Sequence, residues 1–363
     1  MVTIDTLPGR TVKIEGEEWL YFSGTSYLGI GRHPEFQELL LEGIQQYGTH
    51  FGGSRHANIR LGIFEETEVY LARLVGAEAA LTVSSGSLAG QLVVKALQDT
   101  DKFYFAPGVH PALFGEGDYS ELAFDAWTDF VLNEAELYQE NIIVFSNSLD
   151  PLHAKKFSFD WLWEFPKHIN VTLVLDDSHG LGICGRDGAG IYSLLECPDN
   201  VELIVIGSMG KAWGIPGGLI LGSQEFIDTI WQTPYFGGAS PVSPAYLHAF
   251  HRARNLYSEC RDQLFANIEF FRRGVQQINL FETFVQYPVF YTSKNHLADF
   301  LAKKRVMISS FPYPTPQDDW ITRVILSAAH TLTDVEHLVR LIEKFMDARG
   351  TNYEFPSDKT IKP

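Results

Sequence analysis

In the segment VELIVIGSMGKAWGIPGG an apolar run over 201–206, interrupted only by Glu202, leads through Gly207, Ser208, Met209 and Gly210 to a single lysine, Lys211. An ammonium carried on a turn at the end of a buried strand is poorly solvated. Its pKa falls, and its neutral amine becomes available to form a Schiff base with a carbonyl. A lone lysine after a turn is more often a surface residue, but a second segment of the same design shifts that weighing. VTLVLDDSHGLGICGRDGAG carries a continuous apolar run over 171–175, as a parallel strand covered on both faces does, and ends it in Asp176, Asp177, Ser178 and His179. Neighbouring strands of an open α/β sheet would bring Asp176, His179 and Lys211 to their carboxyl ends, the edge at which such sheets bind ligands.

A carboxylate, an imidazole and a lysine converging there suit pyridoxal phosphate. The lysine amine bonds the aldehyde carbon, the aspartate keeps the pyridine nitrogen protonated so that the ring accepts electrons, and the histidine hydrogen-bonds near the phenolic oxygen. Two competing phosphate motifs fail on their own requirements. Gly180-Leu181-Gly182-Ile183-Cys184-Gly185 fits the dinucleotide fingerprint, yet 176–179 separate it from the apolar run and GRDGAG cannot open a long helix. The Gly210-Lys211 pair is no P-loop, because Val205 stands in place of its first glycine and Ala212 in place of its Ser/Thr. A better anion site is Ser84-Ser85-Gly86-Ser87 ahead of an apolar helix, whose N-terminal amides are free to donate, although an ordinary Ser/Gly N-cap reads the same way.

The elements that must position these residues follow a βαβ rhythm. Helices are predicted from His33-Pro34-Glu35 to about Tyr47, over 62–75 and over 88–98, and strands over 79–83, 103–106, 142–146, 171–175 and 202–206. That alternation predicts a mostly parallel sheet sandwiched by helices. After the Gly/Pro/Ser-rich break at 235–244 the rhythm changes to helices over 245–275, β-like segments over 282–291 and 323–328, and an amphipathic helix over 333–348. The expected division is an N-terminal segment, 1–44, packed with a smaller α+β domain, 236–363, around a large domain, 45–235. The tail from Gly350 is expected to be loosely ordered.

At 363 residues, with 45% hydrophobic and 20% charged residues, the chain has the composition of a globular protein with one large and one smaller domain. No stretch approaches the ~20 apolar residues of a membrane span. MVTIDTLPGR lacks the regions of a signal peptide, and the three cysteines (Cys184, Cys197 and Cys260) are unpaired in number and off metal-ligand spacing. The expectation is a cytoplasmic protein without a metal site. The formal charge of −17 argues against nucleic-acid and anionic-membrane partners, and requires basic residues gathered locally if a polyanionic acyl-coenzyme A is to bind.

The segments YLGIGRHPEF (27–36), FGGSRHANIRL (51–61), LVGAEAALTVSSGSLAG (74–90), LDDSHGLGICGRDGAG (175–190), IGSMGKAWGIPGG (206–218) and RVILSAAHTLTDVEHL (323–338) together resemble the α-oxoamine synthases, a family of fold-type I pyridoxal phosphate enzymes. The resemblance runs from about Tyr27 to about Phe345. It implies an enzyme that condenses a small amino acid with an acyl thioester, as 8-amino-7-oxononanoate synthase and glycine C-acetyltransferase do. It implies that Gly86 and Ser87 grip the cofactor phosphate with Ser208, and that Ser240 reaches the same phosphate from a partner subunit, so that the site is complete only in a homodimer. It implies that His110 stacks on the pyridine ring and helps position protons, and that Arg323 holds the amino-acid carboxylate in a bidentate fork. It places FPYPTP (311–316) near the substrate. Three places depart from the family pattern. Thr25 and Ser26 stand where it has an Asn-Asp pair, Gly90 stands where it has asparagine, and FSNSLDPLHAKKF replaces an FSMDGD-like segment. An aminotransferase of the same fold and a non-catalytic scaffold remain as alternatives at this level.

Overall fold

The computed structural model describes residues 3–98, 102–115, 120–138, 141–313 and 315–350. The expected loose tail lies outside the described residues beyond Gly350, as does Pro314 of the proline-rich segment. In chain order the elements are β1 (Thr11–Ile14), β2 (Glu17–Phe22), α1 (Pro34–Tyr47), α2 (Gly62–Val75), β3 (Ala79–Val83), α3 (Gly86–Leu97), β4 (Lys102–Phe105) and α4 (Phe124–Tyr138). They continue with β5 (Ile142–Asn147), β6 (Leu149–Asp150), β7 (Lys155–Lys156), β8 (Val171–Asp176), β9 (Val201–Ser208), β10 (Gly218–Gly222) and α5 (Gln224–Trp231). The last are α6 (Pro234–Gly238), α7 (Pro244–Arg252), α8 (Arg254–Val275), β11 (Val289–Thr292), α9 (His296–Ala302), β12 (Val306–Pro312), β13 (Trp320–Ile325) and α10 (Leu332–Gly350).

Packing divides the chain into two units, one of Ile30–Asp150 and Lys156–Glu259, the other of Met1–Gly29, Pro151–Lys155 and Cys260–Pro363. The cuts fall elsewhere than the sequence rhythm puts them, at 44/45 and 235/236. The reason is helix packing: α1 and α7 lie together on the large unit, close enough that a Cβ on Gly43 would come within 2.5 Å of the Ala245 carbonyl oxygen.

The large unit holds a six-stranded sheet of order β3-β10-β9-β8-β5-β4. β10 runs antiparallel to both neighbours, and the pairs β4–β5, β5–β8 and β8–β9 are parallel. β5 and β8 read as apolar runs because helices cover both faces, and Val93, Ile143, Val174, Ile204 and Ile220 are fully buried in one core. Register does the positioning. Asn147 pairs with Asp176, and Asp176 with Ile206, so the polar residues that end β5, β8 and β9 share one edge. β9 extends through Ser208, two residues further than the apolar run, so Gly207 and Ser208 belong to the strand and not to the turn.

The small unit holds a five-stranded sheet of order β1-β2-β12-β13-β11, antiparallel except where β12 joins β2 in parallel. Phe22, Phe271, Tyr287, Phe290 and Phe345 fill its core. β12 was not legible in advance because prolines mark its end. The β-like reading of 282–291 reduces to a bridge, Glu282 to Tyr291, and the short β11. Among the described residues no helix is long and apolar enough to cross a membrane.

Candidate active site

Asp176 closes β8 at 7% exposure; its Oδ1 accepts the Ser178 N–H at 2.8 Å, and its Oδ2 lies 3.5 Å from His110 Nδ1. The next residue, Asp177, is 1% exposed. Ser148 Oγ donates to its Oδ1 at 2.5 Å and the Ile191 N–H to its Oδ2 at 2.8 Å. Burial pushes the Asp177 carboxyl up to about 7 against those two hydrogen bonds. The glycines that imitate a dinucleotide fingerprint serve this wrapping. A Cβ on Gly180 or Gly190 would sit 2.1 or 2.2 Å from the Asp177 carboxylate oxygens, and one on Gly182 would strike Ala212 Cβ at 2.7 Å. They let the loop fold over Asp177 and against the lysine turn; no long helix opens there.

The lysine turn is laced to the strand ends. The Ser208 N–H donates to Ser178 Oγ at 2.9 Å, the Gly210 N–H to Ser208 Oγ at 3.2 Å, and the Met209 N–H to the Gly217 carbonyl at 2.9 Å. Met209, Ala212 and Trp213 are buried beneath, and the Tyr257 hydroxyl donates to the Trp213 carbonyl at 2.6 Å. Lys211 itself is half-buried. Burial lowers its pKa, while the carboxylates of Asp176 and Asp177 pull the other way.

On the opposite side of Ser208 stands the start of α3. Ser85 caps it, accepting the Leu88 N–H at 3.1 Å. A Cβ on Gly86 would lie 2.9 Å from Ser208 Cβ, so only glycine lets the helix terminus approach the end of β9. With the Leu88 amide spent on the cap, the amides of Gly86 and Ser87 stand in the first turn, at the positive end of the helix dipole, with Ser208 against Gly86. Ser87 is exposed.

His110 caps the turn Pro111–Leu113: its Nδ1 accepts the Ala112 N–H at 3.1 Å. A nitrogen that accepts cannot carry the proton, so the ring is neutral with its proton on Nε2. Burial holds its pKa below the usual value, Asp176 opposing and Lys211 assisting. Asn147 fixes this loop, taking the His110 N–H on Oδ1 at 3.0 Å and donating from Nδ2 to the Gly108 carbonyl at 2.8 Å. The asparagine missing at Gly90 is also explained locally: a Cβ there would come within 2.2 Å of the Ala112 carbonyl oxygen.

Asp176, Lys211, Ser208, Gly86, Ser87 and His110 therefore share one edge of the large sheet. His179 is half-buried in the turn that follows Asp177, and Ser240 is exposed between α6 and α7. Asn147, Ser148 and Ser178 were not singled out from sequence. The available signal was that IIVFSN, VTLVLD and VELIVIGS are three buried runs, each ending in polar residues. On the small unit, Arg323 lies in β13 at 7% exposure. Its Nη1 donates to the Pro151 carbonyl at 2.8 Å, its guanidinium carbon is 5.8 Å from the Phe311 ring centroid, and its Nε has no acceptor among the described residues.

The 8-amino-7-oxononanoate synthase of Petrotoga mobilis is 26% identical over 96% of this chain and 94% of its own length. That of Nitrosomonas eutropha is 28% identical over 90% and 89%. A solved serine palmitoyltransferase from S. paucimobilis, with a bound PLP–myriocin adduct, superposes with a TM-score of 0.81 at 16% identity, covering 96% of this chain and 93% of the other, and shares its fold. These similarities bear out the resemblance to the α-oxoamine synthases. The model of the family described as aminotransferase class I and II matches residues 155–342, just over half of the sequence, and the chain belongs to that family.

Proposed function

We propose that the protein is a pyridoxal phosphate-dependent transferase that joins a small α-amino acid to an acyl thioester. The observation that carries this reading is the shared edge on which Lys211, Asp176 and the Gly86–Ser208 approach converge. The residues fit the cofactor. The close approach that Gly86 permits brings the start of α3 beside Ser208, so that helix-terminal amides and a hydroxyl are available to one anion, as a phosphate monoester requires. The buried Asp176 carboxylate, with one oxygen on the Ser178 amide, suits a pyridinium nitrogen, and the neutral ring of His110 offers a flat face.

When bound, the cofactor supplies an electron sink, its pyridinium ring taking up the electron pair left on the amino acid's α-carbon. Lys211 would anchor the cofactor covalently, and its Nζ, when free, would take the α-proton, a role that its lowered pKa suits. Asp176 would hold the proton on the pyridine nitrogen, with His110 against the ring and His179 toward its phenolic oxygen. Arg323 holds the substrate carboxylate; its orphaned Nε–H asks for such an acceptor. Ser240 reaches the phosphate of a neighbouring site in a homodimer, in keeping with its exposure. The three unbridged cysteines favour a cytoplasmic location.

Membership of the aminotransferase family favours a second reading, amino-group transfer. One titration separates the two. Purified protein loaded with pyridoxal phosphate is mixed with glycine, alanine or serine, with and without short and medium acyl-coenzyme A. Release of free coenzyme A that depends on one amino acid supports condensation. A 2-oxo acid formed without thioester consumption supports transamination. Neither product, with no visible band on adding cofactor, overturns the Lys211 assignment.

A further inference from the structure

Arg323 sits on the small sheet with Ser309 as its cross-strand partner on β12 and Tyr291 on β11. Directly opposed residues of antiparallel strands put their Cβ atoms about 5 Å apart on one face. Ser309 is 4% exposed, and its Oγ is 2.7 Å from the Oγ of Ser23, the residue that follows β2. Two hydroxyls own two hydrogens, and a single hydrogen bond between them uses one. Beyond that bond neither hydroxyl has a further partner among the described residues, and there the Nε–H of Arg323, on the cross-strand neighbour of Ser309, has none either.

The opposite face shows that this is not how the sheet treats its hydroxyls in general. There Ser310 donates to Thr322 at 2.8 Å and Thr322 to Asn295 Oδ1 at 2.7 Å, so each hydrogen is spent inside the protein. A buried guanidinium Nε–H without an acceptor is costly unless an anion completes it, and when half-buried Ser23 is the donor of the shared bond, buried Ser309 has its proton free for the same anion.

We propose that Ser309, polarised by Ser23, is a second donor in the carboxylate subsite. Ser23 Oγ–H donates to Ser309 Oγ, and Ser309 Oγ–H donates to the carboxylate that Arg323 holds through Nε. The subsite therefore selects α-amino acids over amines of similar size that lack the carboxylate. This inference rests on the reading that Arg323 binds the substrate carboxylate, and it makes Ser309 a specificity-determining residue and Ser23 a positioning residue.

The test uses the cofactor-loaded enzyme and measures dissociation constants for glycine, alanine and serine from the visible absorption change, with 2-aminoethanol as the carboxylate-free control. Ser309→Ala is expected to weaken binding of each amino acid about five- to tenfold, as loss of one hydrogen bond to a charged group does. Ser23→Ala is expected to weaken it about twofold. Ser309→Thr, which keeps the hydroxyl, restores affinity, and binding of 2-aminoethanol and of cofactor is unchanged throughout. Amino-acid affinity unaltered in Ser309→Ala, while Arg323→Ala loses it, overturns the role of Ser309 and leaves the Arg323 reading intact. Affinity unaltered in Arg323→Ala overturns both. Equal weakening of amino acid and 2-aminoethanol by Ser309→Ala also overturns the role, because it would mark a general disturbance of the sheet.

Discussion

Two polar regions of this molecule are built on different terms. On the large sheet, the groups around Asp176 are bonded to one another: Ser178 to Asp176, Ser208 to Ser178, Ser148 to Asp177, and Asn147 to the backbone on either side of Val109. On the small sheet, Arg323 keeps a buried Nε–H without an acceptor among the described residues, and the Ser23–Ser309 bond uses one of the pair's two protons. The first arrangement holds its geometry with nothing added, as the seat of a resident group must. On the reading proposed above, the second is finished by a ligand that arrives and leaves. Each taken by itself, a bonded polar edge suits a group that stays bound, and an incomplete donor set suits one that turns over.

The comparison breaks at its strongest point if both regions respond alike to truncation. Lys211→Ala is expected to abolish the visible band that cofactor produces and to cut turnover at least about a thousandfold, with the circular dichroism unchanged. Arg323→Ala is expected to leave that band in place and to lower kcat/KM for the amino acid about ten- to hundredfold, mainly through KM. A lost cofactor band in Arg323→Ala, or retained turnover in Lys211→Ala, would show that the roles are not divided this way.

The next effect concerns what sequence could and could not reveal. The buried runs over 171–175 and 201–206, and the turns that end them, were readable because a strand covered on both faces leaves an unbroken apolar signature. Asp176, Lys211 and the glycine-rich helix start follow from that signature. The neighbours that hold them do not. Asn147, Ser148 and Ser178 become visible only through register, since nothing in local pattern says that the end of β5 lies beside the end of β8. Gly90 is of the same kind. As a departure from a family pattern it is a blank, whereas in the fold it is the contact between α3 and the His110 turn. Gly90→Asn, which restores the pattern's residue, is therefore expected to destabilise the protein by about 1–3 kcal/mol, measured by urea denaturation. A neutral result would mean that the turn yields easily, and that His110 is not held from that side.

The two regions also carry opposite pH dependences. Asp177 is raised to about 7 by burial from an ordinary value of 3.8, so between about pH 4 and 7 the folded state keeps a proton that the unfolded state has lost. Stability from this group is full at low pH and falls as pH rises through that window. His330 of the small unit, 2% exposed and stacked on Phe22 with ring centroids 4.1 Å apart, is lowered by burial from 6.5 to about 4. Here the unfolded state binds the extra proton, so stability is full above pH 6.5 and is lost as pH falls toward 4. Urea denaturation of the cofactor-free protein from pH 4 to 7 should show Asp177→Asn gaining stability with pH more steeply than the parent, and His330→Gln less steeply. Identical slopes in all three would remove the electrostatic part of the contrast.

The smallest effect tests the bonded network itself. Ser178 Oγ takes the Ser208 N–H while its own N–H satisfies Asp176. This one residue thus ties the two strand ends that would hold opposite ends of the cofactor, the ring nitrogen and the phosphate. Ser178→Ala keeps the backbone donor to Asp176 and removes only the acceptor for Ser208, leaving a partly buried N–H unpaired at a cost of about 1 kcal/mol. With Ser208 at the phosphate end, as proposed above, the loss should appear as about a fivefold weaker affinity for pyridoxal phosphate, measured by equilibrium titration of the cofactor-free protein. Amino-acid affinity in the loaded enzyme should be unchanged, since the proposed carboxylate donors, Arg323 and Ser309, belong to the small sheet and not to this network. If amino-acid affinity falls with cofactor affinity intact, the edge of the large sheet is not the preassembled seat that its hydrogen bonds describe.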